Sequence, residues 1–225
     1  WWDDFFFGFL VVLRVFAVAL VLAVVFGLIG AAAKLSRSRI ARTIAQVYTV
    51  VFRGTPELIV LLIFYFGMAL TLTAIAQKVN PSVRFIDIPP FWAGSIAIGL
   101  IVGAYMTETF RGAFLGVDHG QVEAARALGL GPVQTFFYVR VPQMWRLALP
   151  NFGNHTLSVM KDTALISIIG LEEIVSVAQM ANAVIRQPFT LYMTVALIYL
   201  AMTTVITIAV ARLEIYANRH LRGGK

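Results

Sequence analysis

The sequence predicts an all-α, polytopic membrane protein with five transmembrane helices. Hydrophobic residues make up 60% of the 225 and charged residues only 13%, against about 45–50% and roughly 25% in soluble globular domains. The apolar residues are gathered into runs of about 20, the length needed to cross hydrocarbon. Lipid offers no partner to backbone N–H and C=O groups, so runs of that length are helices.

Residues 5–33 form the first span, with Arg14 as its only charge; that side chain is expected to snorkel or to contact another helix. The run is too long for a signal-peptide core and lacks a basic leader. The chain begins at Trp1 rather than methionine, so a few residues are expected to precede it. In residues 40–53, Ile40, Ile44, Val47 and Val51 share one helical face and Arg39, Arg42, Gln46, Thr49 and Arg53 the other. That is an amphipathic helix at the cytoplasmic surface, or an early extension of the second span. Thr55 reads as an N-cap, with Pro56 at the first helical position and Glu57 in the first turn.

The second span covers 58–76. Residues 80–90, with Pro81, Pro89 and Pro90, read as an external loop. The third span covers 91–110. Its Gly99 and Gly103 form G-x-x-x-G, which permits close helix approach within the chain or against another chain. Glu108 and Arg111, at i,i+3, read as a structural ion pair rather than a gate. The fourth span, 147–171, carries Lys161 and Asp162; the fifth covers 190–211. Neither a long internal repeat nor a low-complexity stretch divides the chain, so residues 1–225 form one domain.

Basic residues assign the orientation. Lys34, Arg37, Arg39, Arg42 and Arg53 lie between spans one and two. Arg111, Arg126, Arg140 and Arg146 lie between spans three and four, and Arg212, Arg219, Arg222 and Lys225 follow span five. The opposite side carries Asp3, Asp4, Lys78, Arg84, Asp87, Glu172, Glu173 and Arg186. The positive-inside rule puts the N-terminus outside and the C-terminus in the cytoplasm, as an odd number of spans requires.

Several functions are disfavoured. Cysteine is absent, which removes disulfides, iron–sulfur clusters and cysteine-ligated zinc. His119, His155 and His220 are too scattered for a metal site. The net charge of +7 flanks apolar runs and reads as topology, not nucleic-acid binding. Ser158 to Lys161 matches S-x-x-K but has no S-D-N or K-T-G companion and lies in a span, so catalysis is not expected there.

The long polar segment, residues 111–146, interrupts this oily chain. Glu123, Ala124 and Ala125 are followed by three residues, Gly129, nine residues, then Val139, Arg140, Val141 and Pro142. Good helix formers precede Gly129, a residue suited to a helix C-terminus. Gly131-Pro132 is a turn, and a second short helix over 133–140 is limited by Pro142. This spacing resembles the EAA loop of ABC-importer permeases, with valines for the family's isoleucine and leucine. FRGTPE at 52–57, GAYMTETFRGAF at 103–114 and KDTALISIIGLEE at 161–173 look like the polar amino-acid permeases, in particular the histidine/arginine/ornithine and opine subgroup.

The resemblance implies a type I ABC-importer permease fold in the bacterial inner membrane. It implies that Glu123, Ala124, Ala125, Gly129 and Pro142 belong to a loop that docks on an ABC ATPase subunit dimer. It further implies a second permease subunit, identical or paralogous, a periplasmic substrate-binding protein, and a polar amino acid, basic or an opine, as substrate. The chain itself has no G-x-x-x-x-G-K-[ST], and Gly223-Gly224-Lys225 lacks its spacing and hydroxyl residue. No cofactor is therefore expected on this chain; ATP and Mg²⁺ are expected in the partner ATPase.

In the fourth span Asn154, Ser158 and Lys161 share one face, with His155 and Asp162 on the neighbouring stripe. Ionisable groups inside a membrane usually face a cavity or a partner. The stripe either lines a substrate path, with Asp162 holding a cationic group, or Lys161 and Asp162 neutralise each other or neighbouring helices. Two rival classes are weighed against the importer reading. A secondary transporter driven by an ion gradient usually needs more spans and repeats, and a membrane-embedded enzyme needs a catalytic constellation.

Overall fold

The computed structural model describes residues 1–219; His220, Arg222, Gly223, Gly224 and Lys225, all invoked above, lie outside the described residues. Within those residues the chain is helical, with no strand: α1 (Trp2–Leu35), α2 (Arg39–Gly54), α3 (Glu57–Val79), α4 (Pro90–Leu115), α5 (His119–Ala127), α6 (Pro132–Thr135), α7 (Val141–Asp162), α8 (Ile174–Ile185) and α9 (Pro188–Ala217). By length and composition α1, α3, α4 and α9 can each cross a membrane. Residues 132–169 and α8 form a bent pair, turned by 49°, that supplies a fifth crossing if taken as one span.

The centre of the bundle is the contact of α1 with α4. Small residues on α1, among them Ala19, Ala23, Gly27 and Gly30, fall on its buried face. Opposite them, Gly99 backs onto Leu22 and Gly103 onto Phe26, while Gly27 meets Met106 and Gly30 meets Thr107. Numbers rise together along both helices, so α1 and α4 run parallel. The G-x-x-x-G pair thus serves packing inside this chain, where missing side chains let two backbones approach and gain dispersion contacts.

The other directions follow from similar pairs. Gly94 lies by Ile166 and Thr109 by His155, which makes α7 antiparallel to α4. Gly153 lies by Val210 and Thr163 by Tyr199, so α9 reverses again. The α3–α4 loop is tied down by the Ile86 amide, which donates to Thr73 Oγ1 at 2.9 Å. The Gln77 side chain holds it too, donating to the Val83 carbonyl at 3.0 Å. Therefore α1, α4 and α9 point one way, α3 and α7 the other.

Local structure departs from the sequence reading in four places. Thr55 does not cap α3; its hydroxyl donates to the Val51 carbonyl at 2.9 Å and closes α2. Pro142 does not limit a second short helix. A π-helical turn, Phe136–Arg140, links α6 directly to α7, with the Val141 amide bonded five residues back to Phe136; the wider turn relieves the crowding that a proline ring causes in an α-helix. The fourth span, expected at 147–171, is not one straight helix: after Asp162 it tightens into a 3₁₀ stretch, Thr163–Ile169, and stops at Gly170, whose φ of 92° ends it in the left-handed region. The segment after it, whose Glu172, Glu173 and Arg186 are expected on the outer side, contains α8.

Glu173 explains why α8 starts where it does. It is only 1% exposed. Its Oε1 accepts from the Val175 and Ser176 amides at 2.9 and 3.2 Å, and its Oε2 accepts from the Tyr199 hydroxyl at 3.3 Å. The carboxylate caps α8 while tying it to α9, satisfying amides that lipid cannot. Gly8 of α1 reaches this joint: an added Cβ there would lie 2.9 Å from the Ile174 nitrogen.

A Cβ at Gly103 would come within 2.8 Å of Phe26 Cβ and 2.9 Å of the Tyr48 hydroxyl, whereas one at Gly67 of α3 would meet no described heavy atom within 4 Å beyond its chain neighbours and its own helix's backbone. Gly103→Val should therefore cost about 2 kcal/mol through overpacking, or about 5 °C in thermal unfolding of the detergent-solubilised chain. Gly67→Val should leave the transition within error. Equal effects of the two substitutions would remove the α1–α4 seam from its central role.

Candidate functional site

Two polar regions stand apart from the apolar bundle: a projection at the end of α4 and a cavity between α3, α4 and α7. The projection begins where Asp118 caps α5, accepting from the Gly120 amide at 2.7 Å. It turns at Gly129, which has φ 82°. The Leu130 amide bonds to the Ala125 carbonyl at 3.1 Å and the Gly129 amide to the Arg126 carbonyl at 2.9 Å. These two bonds form a Schellman C-cap, whose left-handed residue is favoured as glycine for want of a Cβ.

Among the residues expected in the docking loop, Glu123 and Ala124 are exposed, Ala125 is buried and Gly129 is open to solvent. Pro142 sits in the first turn of α7, behind the projection. Glu123, Arg126, His119 and Arg140 line a cavity of about 220 Å³, and Arg140 Nε is shielded from solvent without a hydrogen-bond partner among the described residues. Sequence reading missed an apolar patch: Leu128 is 80% exposed, Val133 69%, and Phe137 and Tyr138 60 and 74%. Exposed large apolar groups around a polar turn mark a contact surface. Phe114 of α4 stacks on Phe136 at 6.0 Å, 12° from parallel, and joins the projection to the bundle.

The second region is a cavity of about 510 Å³ in which Asn154, Ser158, Lys161 and Asp162 all take part. Neither Lys161 nor Asp162 makes a salt bridge or a side-chain hydrogen bond among the described residues, so the mutual pairing weighed above is not formed. Glu57 and Tyr105 line the same cavity. Glu57 had been read only as a helix-start residue; an acid at the head of an apolar span was the available signal. The wall is braced by His155, whose Nε2 lies 2.9 Å from Thr109 Oγ1 and whose ring is 6.0 Å from that of Tyr105. The Arg53 guanidinium lies 5.4 Å from the centre of the Tyr105 ring.

Two carboxylates and one ammonium line this cavity, with amide, hydroxyl and aromatic groups beside them. Such a lining can offer anionic and cationic contacts to a small charged ligand. The expected pair of Glu108 and Arg111 is present (Arg111 Nε to Glu108 Oε2, 2.8 Å), and Lys34 of α1 joins it from the other side. Arg14 lies on the exposed face of α1 with no partner among the described residues.

Residues 23–222 match the family of the binding-protein-dependent transport system inner membrane component. Among individual proteins, the histidine/lysine/arginine/ornithine transport system permease protein HisQ of Salmonella typhimurium is 42% identical over 198 residues, 88% of this chain and 86% of that one. The nopaline transport system permease protein NocQ of Agrobacterium fabrum is 39% identical over 222 residues, 99% of this chain and 94% of that one. A crystal structure of an amino acid ABC transporter with histidines contains a chain that superposes with a TM-score of 0.79 at 31% identity. It covers 94% of this chain and 93% of its own.

Proposed function

The chain belongs to the binding-protein-dependent transport system inner membrane component family, and on that premise we propose that it is the permease subunit that carries basic amino acids or opines inward. Relatives named as permeases for histidine, lysine, arginine and ornithine or for nopaline support the importer class. The single observation that carries the substrate class is the cavity that gathers Glu57, Asp162 and Lys161 beside Asn154, Ser158 and Tyr105. Two carboxylates against one ammonium among the lining residues favour a cationic amino acid over a neutral one, with the Arg53 guanidinium standing behind Tyr105.

The projection is the second half of the proposal. Glu123, Ala124, Ala125 and Gly129, with the apolar patch around them, dock on an ABC ATPase, while Pro142 starts the helix behind them. Two ATPase subunits, holding ATP and Mg²⁺, close and push the projection; α4 and α7 carry the displacement toward the cavity because both helices flank it. A periplasmic binding protein delivers substrate on the opposite side, and a second permease subunit completes the pathway. The N-terminus lies in the periplasm and the C-terminus in the cytoplasm. The clustering of Lys34, Arg42, Arg111, Arg126, Arg140 and Arg146 at the end of the bundle that bears the projection supports this orientation. The energy source is ATP hydrolysis in the partner, in keeping with a family whose members are not themselves ATPases.

Two substitutions test the halves separately. A Cβ at Gly129 meets nothing within 4 Å, so Gly129→Asp should leave the folded permease abundant, at a strain of about 1 kcal/mol. In nanodiscs with ATPase and binding protein it should lower substrate-stimulated ATP hydrolysis at least about tenfold. Normal stimulation would sink the docking assignment. Asp162→Asn keeps the side chain's shape and should cut uptake of a basic amino acid about tenfold while sparing neutral ones, as expected for one lost charge contact. Unchanged uptake and selectivity would remove Asp162 from the path.

A further inference from the structure

The bundle leaves the apolar stripe of α2 uncovered: Ile40 is 74% exposed, Ile44 65%, Val47 56% and Val51 51%. The side against the bundle is Ala45 and Thr49, 4% and 2% exposed, with Tyr48 and Phe52 half-buried, whereas Arg39, Arg42, Gln46 and Arg53 are exposed. Two polar groups of α2, on Gln46 and Thr49, are held by Lys34 at the end of α1. Its ammonium donates to Gln46 Oε1 at 2.8 Å and to Thr49 Oγ1 at 2.6 Å, and pairs with the Glu108 carboxylate of α4.

Beside this cluster lies an open groove of about 510 Å³. Lys34, Arg42 and Arg111 give it three positive charges, and Glu108 one negative charge. Glu108 is already engaged on both oxygens, by Lys34 and by Arg111 Nε. Arg42 has no side-chain partner among the described residues, and Arg111 makes no bond beyond that to Glu108. Two guanidinium groups therefore keep free donors at a net positive site. Val47 lines the same groove, so its cationic floor runs directly into the apolar stripe of α2. Arg37 and Arg39 lie between Lys34 and Arg42 in sequence.

We propose that this groove holds one anionic phospholipid, its phosphate between Arg42 and Arg111 and an acyl chain along Ile40, Ile44 and Val47. Guanidinium forks suit phosphate oxygens, and an amphipathic helix with exposed branched aliphatics suits the acyl boundary of a bilayer. A free phosphate would use the cations but leave the apolar stripe in water. The inference rests on the proposed orientation only for its leaflet, the cytoplasmic one. Binding itself is read without ATPase, binding protein or substrate, so its failure and failure of the transport reading are separate results.

The test is native mass spectrometry of the full-length chain, delipidated in detergent and titrated with phosphatidylglycerol or phosphatidylcholine. Phosphatidylglycerol should bind at one site per chain at least about fivefold tighter than phosphatidylcholine, the contribution of one interfacial basic residue. Arg42→Gln should erase that preference, Arg42→Lys should keep it, and Lys78→Gln, at the far end of α3, should not change it. Excess inorganic phosphate should leave the bound lipid in place. Equal affinity for the two lipids, an unaltered preference in Arg42→Gln, or displacement of the lipid by inorganic phosphate would each overturn the proposal, the last in favour of a free-phosphate site. So would a disulfide joining two permease chains in high yield through a cysteine at position 47 with no lipid retained, because a second copy would then cover the stripe.

Discussion

The close parallel approach of α1 and α4 is the constraint on which the rest of the molecule depends. It is made possible by glycine on both sides, with Gly27 and Gly30 facing Met106, Phe110 and Thr107, and Gly99 and Gly103 facing Leu22 and Phe26. Between helices in lipid there is no hydrophobic drive to associate, so contact area at short range has to supply the attraction. With α4 fixed in this way, its flanks become the mounting surface for everything functional. Tyr105 lines the cavity and Thr109 holds the lining His155, Tyr48 of α2 donates to the Leu100 carbonyl at 2.6 Å, and the last turn runs into the projection through Gly116.

The polar residues then fall into two groups. In one, each group has a partner: Lys34 with Glu108, Gln46 and Thr49, and Glu173 with two amides and Tyr199. These hold helices together, and for the buried Glu173 they spare the several kcal/mol that an unpaired polar group in hydrocarbon costs. In the other group, Asp162, Lys161 and Glu57 line a cavity without salt bridges among the described residues. The contrast between satisfied and unsatisfied groups is what separates scaffold from candidate path, and it cannot be seen in composition.

Much of this was legible in the sequence for one physical reason: a bilayer imposes a length. Apolar runs near 5–33, 58–76, 91–110 and 190–211 are visible because no other structure accommodates them, and helices long and apolar enough to cross occur at all four. The amphipathic period of α2 and the turn at Gly129 were equally local signals. What stayed hidden depends on distant neighbours. Glu173 looked like one of two loop acids, and only the approach of Tyr199 and the start of α8 make it a buried cap. Glu57 lies more than a hundred positions from Asp162 in sequence, so their shared cavity follows from packing. The bend after Asp162 was missed because Thr163–Ile169 is apolar enough to continue the span, and a 3₁₀ stretch has no distinct hydrophobic period.

The central claim is that the turn at 118–142 transmits the state of a separate ATPase to helices α4 and α7. The native chain contains no cysteine, so a single cysteine replacing Ala124 gives an unambiguous probe. The decisive measurement is site-directed cross-linking from position 124 to the ATPase subunit in the reconstituted complex, with and without trapped ATP. The account predicts a specific cross-link whose yield changes on ATP trapping, and loss of uptake once it is locked. An absent cross-link, or uptake that continues with no ATPase in the membrane, would contradict it.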